Sequence, residues 1–247
     1  MARTAVTIMP ARLESSRLQH KALADIEGLP MVIHTCKRAL LATKLRNVFL
    51  ATDSSEIKEI SESYGINVIM TSSKHRNASE RCAEACQDLD DDIVVVLQGD
   101  EPLVYPDHID KLVQPMIDDN NLEVTMGITK FYKLNSYSDI KAVIDKNGYL
   151  LYASRNDIPC YYNKEQQFMW KLCFIVPHRK DILQKYLNLH YAHLDLIEDN
   201  HFLRFIENDV KIRTIEIDGA KISVDTQEDL DEIRELFKKD TIKYEYL

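Results

Sequence analysis

A chain of 247 residues, 45% hydrophobic and 29% charged, carries enough apolar side chains for a substantial core and too many for a disordered segment. Its formal net charge of −9 argues against duplex nucleic acid as a partner, because that binding runs on neutralising phosphates with cations. No apolar run approaches the roughly 20 residues of a membrane span, and no cationic-then-apolar signal opens the chain, so a soluble, cytoplasmic protein is expected.

In chain order, strands are expected at 5–9, 48–51, 67–71 and 93–97, with helices between and after them at 30–42, 54–64, 78–89 and 106–118. Pro30 and Pro106 suit first-turn positions, and Ser54 is a candidate N-cap. This alternation predicts a buried parallel sheet with helices on both faces. From about residue 121 the pattern changes. A strand is expected at 122–132, a hairpin at 143–154 turning at Lys146-Asn147-Gly148, and another strand at 168–176. Helices follow at 179–189 and 194–206, then a strand at 210–217 and a closing helix from Gln227.

Ligands of such sheets collect beyond the carboxyl ends of the strands. Three polar segments lie there: the loop within "MPARLESSRLQHKALADIEG" (9–28), Thr52-Asp53, and Gln98-Gly99-Asp100-Glu101. They are expected to converge on one crevice. Between residues 12 and 21 the first carries Arg12, Ser15, Ser16, Arg17, His20 and Lys21 against a single acid, Glu14. It has no glycine before Gly28 and is no P-loop, so an anion held there would be met by side chains as well as amides. Arg12 and Arg17 are suited to fork onto phosphate oxygens, and Lys21 to neutralise charge on a leaving pyrophosphate. The plain alternative is a solvated basic turn.

"VVVLQGDEP" places Asp100 at the end of a strand too apolar to be exposed, where its carboxylate suits a hard cation such as Mg²⁺. Asp225 of "KISVDTQEDLDEI" follows a second β-like run, with an ordinary helix-N-terminal acid as the competing role. Two strand-end aspartates beside a basic loop make a metal-assisted nucleotidyl-transfer site. The five cysteines (36, 82, 86, 160 and 173) are odd in number and scattered, which gives no disulfide framework. Cys82 and Cys86 share a helical spacing but lack a matching half-site, so they read as small buried residues.

"MPARLESSRLQHKALADIEGLPMVIHTCKRA", "VFLATD", "VVLQGDEPLV", "LLYASRNDIP" and "VDTQEDLDEI" occur in order across nearly the whole chain. Together they resemble the CMP-Kdo synthetases, the 3-deoxy-manno-octulosonate cytidylyltransferases. The resemblance implies an α/β, Rossmann-like, mostly parallel sheet of the nucleotide-diphospho-sugar transferase type, with a smaller inserted α+β part. It divides a single domain into a nucleotide-binding half (1–120), an acceptor-binding and dimerisation part (121–210) and a closing strand and helix (211–247). It further implies a homodimer that joins CMP from CTP to an acidic sugar and releases pyrophosphate. By position, Arg12 and Lys21 would hold the CTP phosphates with Arg17, Ser15 and Ser16 in support. Gln98 would lie beside the nucleotide, Arg81 would recognise cytosine, and Asp100 and Asp225 would hold Mg²⁺. Ser154, Arg155 and Glu198 would line the acceptor site.

Departures from the family pattern concentrate in two places. Where the family reads "RLPGKPL", this chain has Arg17-Leu18-Gln19-His20-Lys21-Ala22-Leu23, and where it reads "SGTDR" this chain has Asn77-Ala78-Ser79-Glu80-Arg81. The acceptor half departs further: "KLCFIVPHR" stands where "HxGxYxY" is expected, with Leu172 near the His and Val176 near a Tyr, and Asp195 and Phe202 replace a Glu and a Gln. A pocket short of polar partners would leave sugar hydroxyls unpaired at about 1–3 kcal/mol each. Two alternatives therefore stand beside Kdo transfer: the same chemistry on another 2-keto sugar acid or phosphonate, and a non-catalytic nucleotide-binding protein.

Overall fold

The alternating polarity at the start of the chain is realised as a three-layer α/β arrangement. The computed structural model describes residues 4–247 apart from 16, 163–166, 191–192 and 220–222. The first half comprises β1 (Ala5–Ala11), the short ladder β2 (Asp25–Ile26) and β3 (Leu29–Pro30), α1 (Met31–Ala39), β4 (Leu45–Thr52), α2 (Ser55–Ser63), β5 (Asn67–Met70), α3 (Ala78–Ala85), β6 (Ile93–Leu97) and α4 (Pro106–Asp118). The second half comprises β7 (Val124–Phe131), β8 (Lys141–Ile144), β9 (Leu150–Ser154), β10 (Met169–Cys173), β11 (Ile175–Arg179), α5 (Lys180–Lys185), α6 (His193–Glu198), α7 (Phe202–Glu207), β12 (Ile212–Glu216) and α8 (Gln227–Phe237).

β5, β4, β1 and β6 form a parallel ladder in that order. Neighbouring residues of β1 serve opposite faces: Met9 packs with Ile33 of α1 and Val113 of α4, and Ile8 with Cys82 of α3 and Leu183 of α5. Burial on both faces explains why these strands read as unbroken apolar runs. Ser54 caps α2 by accepting from the Ile57 amide at 3.2 Å, and Pro106 opens α4.

The sheet continues through β11, β7, β10, β8 and β9, with β12 parallel to β7 on its other side. Following the pairings, β8, β7 and β12 run with the parallel four, so seven of the ten strands share one direction and β9, β10 and β11 oppose them. The chain thus has the expected Rossmann-like α/β class.

Two expectations are corrected. The single strand read at 168–176 is two strands, because β11 pairs with β6 and β7 whereas β10 pairs with β7 and β8. Phe174 lies at the changeover, outside both ladders, and its ring stacks on Phe202 at 5.9 Å and 13°. The helix read at 194–206 is also two, since Asp199 adopts a left-handed φ of 48° and ends the first. No glycine or proline marks that break, so the apolar period runs through it in the sequence. Between β6 and β8, the two different neighbours of this divided strand, the sheet forks. The fork positions the site.

Candidate functional site

The cationic loop leaves β1 and closes into a single 3₁₀ turn at Lys21–Leu23. His20 starts it with φ 52° and ψ 31°, a left-handed conformation that costs a non-glycine residue roughly 1–2 kcal/mol. The turn is kept without the glycine, and the buried Ala22 anchors it. Lys21 Nζ then reaches across to Asp100 Oδ2 at 2.5 Å, Asp225 Oδ1 at 3.1 Å and the Val224 carbonyl at 3.0 Å. Arg17 meets Asp225 Oδ1 at 2.9 Å. Burial works against the charge on Lys21, but the two aspartates outweigh it, and its pKa lies above the ordinary lysine value.

Asp100 is set by the tight exit from β6. A Cβ on Gly99 would stand 3.3 Å from both the Pro10 carbonyl and Val32 Cγ2, so the bare glycine lets this loop lie against β1. The Val224 amide donates to the Asp100 carbonyl at 3.0 Å, tying the two acidic segments together. Glu101 is taken up by the Ser223 hydroxyl, and burial, then the charge of Asp100, pushes its pKa up to about 8. Asp225 is not the helix cap. Thr226 and Asp229 form a capping box for α8, which leaves the Asp225 carboxylate to Lys21 and Arg17.

Two cavities meet at this point. The smaller, about 140 Å³, is lined by Arg12, Ser15, Lys21, Gln98, Gly99 and Asp100. The larger, about 870 Å³, opens at the fork of the sheet and shares Gln98 and Asp100 with it. Arg17 and Asp225 line the larger cavity beside Lys21, and Lys171, Phe174 and Arg155 line its far half.

That far half is braced by buried polar contacts. Lys171 Nζ pairs with Asp139 at 2.8 Å and sits 5.4 Å from the Phe131 ring centroid. Burial would raise the Asp139 pKa, yet Lys171 and Ser136 bring it below the usual carboxylate value. Arg155 Nε donates to the Glu198 carbonyl at 2.9 Å and Nη1 to the Tyr137 carbonyl at 3.0 Å. Glu198 accepts from Ser154 Oγ and Tyr152 Oη at 2.8 Å each and from the Arg155 amide at 2.9 Å. Burial opposes the charge of Glu198, but these bonds prevail and depress its pKa.

Residues 6–245 match the family model described as Cytidylyltransferase. The chain is 37% identical over 241 residues, 95% of its length and 97% of the relative's, to the 3-deoxy-manno-octulosonate cytidylyltransferase of Chlorobium phaeobacteroides (strain BS1). The chain belongs to the cytidylyltransferase family. A further relative, the enzyme of the same description from Geotalea daltonii, is 35% identical over 245 residues, 94% of this chain and 97% of its own. The solved structure of CMP:2-keto-3-deoxy-manno-octonic acid synthetase complexed with CTP matches with a TM-score of 0.92 at 33% identity, covering 96% of this cytidylyltransferase and 99% of that chain. At 16% identity and a TM-score of 0.63, with 96% and 97% coverage, the 4-diphosphocytidyl-2C-methyl-D-erythritol synthase of Anaerococcus prevotii shares the fold.

Of the residues singled out in the sequence, Arg12, Ser15, Arg17, Lys21, Gln98, Asp100, Arg155 and Asp225 surround the joined cavities of the cytidylyltransferase. Ser16 lies outside the described residues. Thr52-Asp53 does not join the crevice: Asp53 turns to Arg81, 3.2 Å away. Arg81 is buried, bonds Thr71 Oγ1 at 2.6 Å and lines neither of these two cavities. Ser154 and Glu198 likewise face each other outside the cleft lining, and of the three expected acceptor-site residues only Arg155 reaches it.

Sequence reasoning missed Lys171, Asp139 and Lys141. The first had a signal, a cation in the middle of the apolar "FMWKLCFIV". The other two had none, because their roles depend on where a loop folds back. Lys141, fully buried, donates to the carbonyls of Ser136 at 2.6 Å, Asp139 at 2.8 Å and Arg155. Among the described residues no helix is long and apolar enough to cross a membrane.

Proposed function

We propose that this cytidylyltransferase transfers CMP from CTP to Kdo or a closely related acidic sugar and releases pyrophosphate, with Mg²⁺ held by Asp100 and Asp225. One observation carries the reading: Lys21 stands between Asp100 at 2.5 Å and Asp225 at 3.1 Å in the wall where a small cavity holding Arg12 meets a large cleft. The small cavity, with Arg12, Ser15 and Lys21, suits phosphates, and the large one suits a sugar acid.

Two carboxylates converging on one positive charge fit a small hard cation, which takes one or two carboxylates and leaves its other positions to phosphate oxygens and water. Bound there, Mg²⁺ would neutralise phosphate charge. Arg12 and Lys21 orient the triphosphate and offset charge building on the leaving pyrophosphate. Arg155 and Lys171 supply positive charge for the acceptor's carboxylate. The acceptor hydroxyl forms the new bond to the α-phosphorus as the bond to pyrophosphate breaks, so alignment and charge neutralisation carry most of the catalysis.

The apolar side chains of Leu172, Cys173 and Phe174 in the cleft favour a second acceptor reading, a 2-keto sugar acid or phosphonate with fewer hydroxyls than Kdo. In either case the enzyme acts in the cytoplasm as a homodimer, with exposed Leu151, Leu196 and Ile197 available to the contact and light scattering as its check. The deciding experiment measures pyrophosphate release with Mg²⁺ or EDTA, each of the four NTPs, and a panel of Kdo, other 2-keto sugar acids and phosphonates. Turnover with CTP and Kdo, abolished by EDTA, is expected. Turnover confined to another acceptor favours the second reading. CTP binding with no turnover on any acceptor overturns both.

A further inference from the structure

At the far end of the large cleft, the break between α6 and α7 presents Asp199, Asn200 and His201 to the cavity. The left-handed turn at Asp199 swings the next residues inward, and Asn200 is 2% exposed. Its amide is oriented by its neighbour: Asn200 Oδ1 accepts from the Phe202 amide at 3.3 Å, which fixes the NH₂ group on the opposite side. That Nδ2 is buried without a partner, and so is Nε2 of His201. Buried polar atoms are nearly always paired, so two orphans side by side in a cleft wall point to a missing ligand.

The surroundings describe that ligand. His201 lies against Phe202, 4.1 Å between ring centroids, and Phe202 in turn stacks on Phe174, another residue of the cleft wall. Burial lowers the His201 pKa to about 4, which leaves a neutral imidazole. The nearby cation Arg204 is matched by Asp195 at 2.6 Å and lies 3.8 Å from Glu80. Arg155 also stands at this break, where its Nη2 donates to the Asp199 carbonyl at 3.1 Å and to the Asp199 carboxylate at 3.4 Å, so its charge is matched, and beside that pair Asn200 and His201 offer uncharged hydrogen-bonding groups on an aromatic shelf. A neutral hydroxylated tail suits Asn200 and His201.

We propose that Asn200 and His201 are specificity-determining residues that bind an exocyclic hydroxyl of the acceptor, the part of the sugar acid remote from the reacting hydroxyl. The inference rests on the sugar-acid reading above. A hydroxyl suits the pair chemically, since it accepts from the Asn200 N–H and can either donate to or accept from a neutral imidazole.

The test compares Kdo with its 7-deoxy and 8-deoxy analogues on the wild type, on Asn200→Asp, which keeps the oxygen that accepts from Phe202 but removes the N–H donor, and on the uncharged Asn200→Leu. The wild type is expected to prefer Kdo over at least one deoxy analogue by roughly 5- to 100-fold in kcat/KM. In both variants the KM for Kdo should rise by a similar factor while the KM for CTP stays put, and the preference over that analogue should collapse. A wild type indifferent to both deoxy analogues overturns the proposal even if a variant fails to fold. So do variants that lose Kdo and the deoxy analogues equally, since that is what a purely structural role gives. A wild type that turns over no sugar acid refutes the sugar-acid reading itself, a result distinct from retained Kdo turnover without hydroxyl preference.

Discussion

Replacing Lys141 by methionine probes how the acceptor half is held together. The ammonium is fully buried and supports three backbone carbonyls, those of Ser136, Asp139 and Arg155, with the Asp157 carboxylate 3.7 Å away. Hydrogen bonds from a charged donor contribute about 1.5–3 kcal/mol each, so the gross loss is on the order of 5–9 kcal/mol. Against this stands relief from burying the ammonium, worth several kcal/mol, because burial pulls the Lys141 pKa below the ordinary lysine value even though Asp157 and Asp139 pull it back up. The expected net destabilisation is about 2–4 kcal/mol, or a Tm lower by about 4–16 °C in a chain of this size. The two loops freed by the change carry Asp139 and Arg155 into the cleft, so the KM for the acceptor should rise more than the KM for CTP. Differential scanning calorimetry and steady-state kinetics with each substrate varied read both effects. A Tm within about 1 °C of wild type, with an unchanged acceptor KM, would refute the view that this ammonium anchors the acceptor cleft.

Asp100→Asn and Asp225→Asn should each lower kcat by roughly 100-fold or more with CD spectra unchanged, and retained turnover in either variant removes that carboxylate from the site. Gly99→Ala introduces a methyl 3.3 Å from the Pro10 carbonyl and Val32, so the loop carrying Gln98 and Asp100 must shift. A give of a few tenths of an ångström is expected there, short of the roughly 1 Å that costs about 100-fold, so kcat should fall by less than about 100-fold, and a variant with wild-type kcat shows the close approach to be incidental. Glu198→Gln tests the network beneath Arg155. Because the folded-state pKa of Glu198 is depressed, its stabilisation is in place above the ordinary value of 4.5 and is lost as pH falls through the folded pKa. The Tm gap between wild type and variant should be constant near neutrality and close below about pH 4.5, and a pH-independent gap would show that charge plays no part.

The sequence alone determined the parallel half of the sheet and the chemical character of the nucleotide side. Runs such as Ile93–Leu97 can be satisfied only by burial on both faces, and a polar group directly after such a run has only the carboxyl end of the sheet to occupy. Asp100 and the cationic loop were legible for that reason, and Asp225 was legible from its place just after a β-like run, against the competing role of a helix-N-terminal acid. Tertiary structure alone decided the acceptor side. The division at Phe174 depends on which neighbour each part of one extended segment pairs with, and the break at Asp199 on a left-handed turn with no glycine to announce it. Arg81 shows the limit most directly: the family resemblance assigns it to cytosine, and its observed partners Asp53 and Thr71 became visible only in the fold. Strand periodicity is a local property that short sequence windows contain, whereas the partners of Arg155 on Tyr137, Glu198 and Asp199 are set by chain crossings no short window spans.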